Sequence, residues 1–164
     1  VGTVYRRFPD RNALIETLFA EKVEDLVAVA KASLDEPDPW GALVSFLEAF
    51  VVEQQNDRGL AEVLASGDRE QELLGVLRDR VADAVGELVV RAQHAGVLRD
   101  DLSVVDLAVM MHLVSRIDAG DGSELWRRYF ALALAAIRPQ SDTSYRLAGE
   151  APSLKVFEEI AHRL

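Results

Sequence analysis

Apolar residues recur at three- and four-residue steps along almost the whole chain, and no stretch alternates apolar and polar residues with a period of two. Only a turn of 3.6 residues gathers such positions on one face, so the pattern points to amphipathic helices. Ile15, Leu18, Phe19, Val23, Leu26, Val27, Ala30 and Leu34 share one stripe, which predicts a helix of about six turns. Asp10 is placed to cap it. Asp38-Pro39 reads as an N-cap followed by proline at the first helical position, opening a helix with Leu43, Phe46, Leu47, Phe50 and Val51 inward. Asn56 and Asp57 can start a short helix carrying Leu60, Val63 and Leu64 and closed by Gly67. Asp68 with Gln71 resembles a capping box for a long helix whose stripe is Leu74, Leu77, Val81, Val85, Leu88 and Ala92. Gly96 is its expected left-handed stop. Ser103 with Asp106 caps a helix running through Ile117, and Asp121 with Glu124 caps one that Pro139 ends. Ser153 to Leu164 predicts a last short helix. No hairpin dipeptide separates two apolar runs, so the expected fold class is all-α.

Composition narrows what such a bundle can do. At 164 residues and 49% hydrophobic content, the chain suits one domain, or one and a fraction, with a substantial core. A formal net charge of −10 excludes a generally basic nucleic-acid coat. The absence of cysteine removes disulfide frameworks, zinc knuckles and thiol nucleophiles. The longest apolar run, Tyr129 to Ile137, is about half of a membrane span. With no signal peptide visible, a cytoplasmic protein that does not enter a membrane is expected. The charge is uneven, however. Arg6, Arg7 and Arg11 against Asp10 leave the first twelve residues at +2 and the remainder at −12. A basic tip on an acidic body suggests an anionic partner at the N-terminus only.

The last two long helices carry more apolar surface than one core requires. Leu125, Trp126, Tyr129, Phe130, Leu132, Ala133, Ala136 and Ile137 cover roughly 160° of a helix, where one core contact needs about 100°. The preceding helix has Leu107, Met110, Leu113, Val114 and Ile117 on one face and Ala108, Met111 and Ser115 on another. Two faces on each of two helices imply a homodimer. Its expected interface is Ala108, Met111, Ser115, Trp126, Tyr129, Phe130, Ala133 and Ile137.

The run Gly2-Thr3-Val4-Tyr5-Arg6-Arg7-Phe8-Pro9-Asp10-Arg11-Asn12-Ala13-Leu14-Ile15 resembles the tetracycline-repressor (TetR) family of transcriptional regulators. The matching features are a G-T-hydrophobic-Y-x-x-F recognition helix, a short basic turn and an Ala-Leu helix opening. The resemblance implies the remnant of a helix-turn-helix domain over residues 1–30, a ligand-binding and dimerisation domain over 31–138, and a tail over 139–164. Two further helices are expected before Gly2, so the chain as it stands is expected to bind an operator poorly. Thr3 and Arg6 would face bases, while Tyr5, Arg7 and Arg11 would contact phosphates. That allocation suits the chemistry, because Arg can pair bidentately with guanine whereas phosphate contacts fix register. Phe8 would anchor the recognition helix beneath the next one.

The resemblance also implies an apolar cavity for a small-molecule effector. Its expected lining is Phe46, Phe50, Val81, Val85, Leu88, Met110 and Leu113, with His112 as the polar group. Effector binding would tilt the 11–34 helix and change the spacing of two recognition helices, which must sit about 34–36 Å apart on DNA. The expected activity is that of a repressor released from its operator by an apolar or amphipathic effector, with no cofactor and no metal. The alternative is a helical dimerisation or interaction module without such a ligand. Enzyme chemistry finds little support. His94, His112 and His162 form no H-E-x-x-H, and Glu159 with His162 is a single E-x-x-H where a di-iron bundle needs two. A G-x-S-x-G nucleophile elbow is absent.

Overall fold

The computed structural model describes residues 11–56, 70–117 and 125–139, with 147 and 153; for 11–16, 19 and 70–80 it describes the backbone alone. Within those residues the chain forms α1 (Arg11–Leu34), α2 (Pro39–Asn56), α3 (Glu70–His94), α4 (Val104–Ser115) and α5 (Leu125–Ile137). The helix expected over 57–67 and residues 154–164 of the last one lie outside the described residues, as do the caps at Asp10, Asp68 and Asp121–Glu124.

Local chemistry sets most of the described boundaries. Asp38 accepts from the backbone N–H groups of Trp40 and Gly41, at 3.2 and 2.9 Å, satisfying donors that the first turn of α2 leaves without helical partners. Helix α3 stops at Gly96, whose φ of 67° places it in the left-handed region. There the Gly96 N–H donates to Gln93 O and the Val97 N–H to Ala92 O, the paired bonds of a Schellman motif. Ser103 and Asp106 close a reciprocal capping box at the start of α4. Helix α4 ends at Ser115, two residues before the expected Ile117.

The core lies between α1, α2, α3 and α4, with α5 laid against α4. Leu43, Leu47 and Val51 of α2, Leu88 and Ala92 of α3, and Leu107 and Met111 of α4 are almost wholly excluded from solvent. The connection from α3 to α4 is fastened from several sides. Gln93 donates to the carbonyls of Arg99 and Leu102, the Arg99 N–H donates to Ile137 O, and the Arg99 guanidinium grips Asp101 through two bonds of 2.8 and 2.7 Å. That grip holds the Asp101 carboxyl down at about 2, aided by the Leu147 N–H and opposed by burial. Leu98 plugs the core beneath this turn at 2% exposure.

Helix α5 is tied back to α2 at both ends. Arg127 pairs with Glu48 near its start, and the Arg138 guanidinium lies 3.8 Å from the centre of the Trp40 ring near its finish.

Candidate functional site

Two regions could carry function: the aromatic end of the core between α2, α3 and α4, and the outward surface of α4 and α5.

In the first, Phe46 and Phe50 stand one turn apart on α2 with ring centroids 6.4 Å apart. Phe46, Val85 and Leu88 are buried; Phe50, Val81 and Met110 are half-buried and pack against the same core. His112 of α4 is buried as well, but being two residues from Met110 it projects from nearly the opposite side of that helix. Leu113 differs from the expectation. It is 45% exposed, and it lies on the opposite side of α4 from Leu107, Met111 and Ser115. One residue changes direction on a helix by about 100°, so His112 and Leu113 cannot both turn inward by the same amount.

Burial makes protonation of His112 costly, and the nearby positive charge of Arg116 adds to that cost, so its pKa falls below the usual histidine value. Its proton affinity is therefore greater in the unfolded chain. The associated stability is complete above the unfolded pKa of about 6.5 and drains away as pH falls below it. The expected result is an extra loss of at most about 1.4 kcal/mol per pH unit below that point, relative to a His112→Leu variant. Urea melts of both proteins at pH 7.5 and 5.5 provide the comparison. Parallel behaviour of the two would place the acid sensitivity elsewhere.

In the second region, burial separates the two apolar arcs of α5. Trp126, Phe130, Ala133 and Ile137 face the subunit interior, and the Trp126 and Phe130 rings meet edge to face at 6.0 Å. Leu125, Tyr129 and Leu132 remain 37%, 45% and 56% exposed. The two arcs are centred about 100° apart on the helical wheel. On α4, Leu113 is exposed while Val105 and Val109 on the same side are half-buried.

The residues expected at an interface with a second copy divide by burial. Met111, Ser115, Trp126, Phe130, Ala133 and Ile137 are packed inside this chain, Ala108 is half-buried, and Tyr129 is openly exposed. Leu113, Leu125 and Leu132 take the outward places. The sequence showed that each helix has two apolar faces; which one turns inward depends on neighbours it does not reveal.

Thr3, Tyr5, Arg6 and Arg7 lie outside the described residues, and Arg11 is described only as the first residue of α1. The Glu159–His162 pair also lies outside them. Among the described residues no group of three or more His, Asp or Glu side chains converges as a metal site requires, and no helix is long and apolar enough to cross a membrane.

Residues 38–139 match the family model described as "Transcriptional regulator SbtR-like, C-terminal domain". The fold is similar to the crystal structure of the TetR transcriptional regulator SCO0520 from Streptomyces coelicolor. The TM-score is 0.65 at 27% identity, over 85% of this chain and 81% of that one. No curated protein matches the sequence.

Proposed function

The chain belongs to the TetR family of transcriptional regulators, and from that premise we propose that it is a homodimeric repressor whose DNA affinity responds to a small apolar or amphipathic effector. The observation that carries the effector reading is the incomplete enclosure of Phe50, Val81 and Met110 beside a core that holds the buried His112. Apolar walls with one or two polar groups are the usual composition of a small-molecule site. A scaffold without a ligand would gain more from closing these side chains into its core.

DNA recognition in this proposal belongs to Thr3, Tyr5, Arg6, Arg7 and Arg11, as the resemblance at the N-terminus implies. Dimerisation belongs to the exposed stripes of α4 and α5, whose outward leucines and Tyr129 present an apolar surface suited to a second copy. Effector binding lowers DNA affinity only by the difference in its affinity for the DNA-competent and DNA-incompetent conformations.

The test is a thermal-shift screen against hydrophobic metabolites and drugs. A compound that binds only the folded chain must raise its melting temperature, by about 2.7 kcal/mol of added stability at one hundred times its Kd. Phe50→Trp is expected to change that response while leaving the sedimentation coefficient of the dimer intact. Hits whose shifts are unaffected by Phe50→Trp would remove this wall from the site, and a screen with no saturable hit would favour the interaction-module alternative.

A further inference from the structure

Helix α1 closes without a left-handed glycine, since Asp35, Glu36 and Pro37 follow Leu34. The Asp35 and Glu36 N–H groups tighten its last turn by donating to the Ala32 and Ser33 carbonyls, each at 3.2 Å, and the Leu34 carbonyl is met from elsewhere in the molecule. Arg91 of α3, 57 positions along the sequence from Leu34, donates from Nη1 to the Leu34 carbonyl at 2.8 Å. Its Nη2 donates to the carbonyls of Glu36 and Pro37, the second at 3.0 Å. A planar guanidinium holds several acceptors in a fixed fork, and its charge complements the negative end of the α1 dipole.

The rest of α1 is secured in a graded way. Exposure falls from 41% at Leu18 to 5% at Val23 and Val27 and to 0% at Ala30. Lys22 pairs with Glu53 of α2 partway along. Thus α1 is firmly held at its C-terminal end and more weakly embedded toward Leu18. Arg91 itself rides on α3 three residues beyond Leu88 and six beyond Val85, the buried core residues of the same helix. A helix is stiff over two turns, so a displacement of α3 at those residues moves the guanidinium with it.

We propose that Arg91 is a positioning residue that couples the α3 wall of the core to α1, which pivots about its fastened C-terminal end. This inference rests on the reading of the α2–α3–α4 core as the effector seat. Geometry gives the coupling its reach. A helix of 24 residues is about 36 Å long, so a tilt of about 5° at the pin moves the Arg11 end by about 3 Å. The basic N-terminal segment continues from that end.

The experiment is hydrogen exchange of the full chain, read by mass spectrometry on peptides covering α1 and the following turn. In Arg91→Met the amides of residues 31–36 are expected to exchange at least tenfold faster than in the parent, with Arg91→Lys intermediate because it keeps charge and loses the fork. Val85→Leu then serves as a ligand-free push on α3 from inside the core. In the parent background it is expected to alter exchange along residues 17–34; in Arg91→Met the same substitution is expected to change that segment less than half as much. Unchanged exchange at 31–36 in Arg91→Met would overturn the pin. A Val85→Leu effect equal in both backgrounds would overturn the coupling, since a purely structural Arg91 gives additive changes. If Arg91→Met fails to fold, the same comparison is made with Arg91→Lys. No ligand enters this experiment, so its failure is distinct from failure of the effector screen.

Discussion

Leu132→Asp is expected to convert the proposed dimer to a monomer, raising the dissociation constant roughly a thousandfold. Leu132 has the greatest exposure of the large apolar side chains on α5, at 56%, and stands one turn beyond Tyr129 and two beyond Leu125 on the outward stripe. Covering its remaining apolar surface contributes about 1 kcal/mol per subunit, and burying a carboxylate in its place costs at least about 1 kcal/mol more. A twofold interface repeats every substitution, so these amounts count twice and reach about 4 kcal/mol or more, near three decades in Kd. Sedimentation velocity across a concentration series reads the result directly. The folded subunit is expected to keep its helical circular dichroism, because Leu132 contributes little to the interior. A dimer of undiminished affinity would remove the α5 stripe from the interface.

Leu43→Ala has the opposite signature. Leu43 is 0% exposed, one turn into α2 among the residues that α1, α3 and α4 enclose. Truncating it removes buried methyl groups and leaves a cavity that neighbouring helices fill only in part, a change that costs about 2–5 kcal/mol. Domains of this kind are stable by about 5–15 kcal/mol in total, so the variant is expected to lose a large share of its margin. The midpoint of guanidinium unfolding, measured at one fixed protein concentration, should fall accordingly. Leu132→Ala under the same conditions should shift it far less once the dimer contribution is held constant. A Leu43→Ala loss below about 1 kcal/mol would mean that α2 is not central to the core. The two leucines thus differ in where their energy appears, one in folding and the other in association.

The family was legible from a short motif because that motif combines residue types that local geometry rarely assembles otherwise. Residues 38–139, which carry the family match, contributed much less specific signals when read one helix at a time. Their helical order was clear, yet the wall of the proposed effector site was not. Leu113 and His112 illustrate the difficulty. Both fit an apolar helix face, but they sit on adjacent positions and the structure turns one outward and buries the other.

By itself, the amino-acid order determined those features whose hydrogen bonds close within a few residues. The start of α2 at Asp38-Pro39, the left-handed stop at Gly96 and the Ser103–Asp106 capping box all belong to this class. Each satisfies backbone groups near its own position, so neighbouring residues suffice to specify it. Tertiary structure decided which apolar arc of α5 turned inward, the one with Trp126 and Phe130 rather than the one with Leu125 and Leu132, and which carbonyls Arg91 would reach. Those outcomes depend on groups brought together from distant parts of the chain; Arg91 and Leu34 are 57 residues apart. Hydrophobic burial has no preferred direction of its own, so two equally apolar faces are distinguished only by what packs against them.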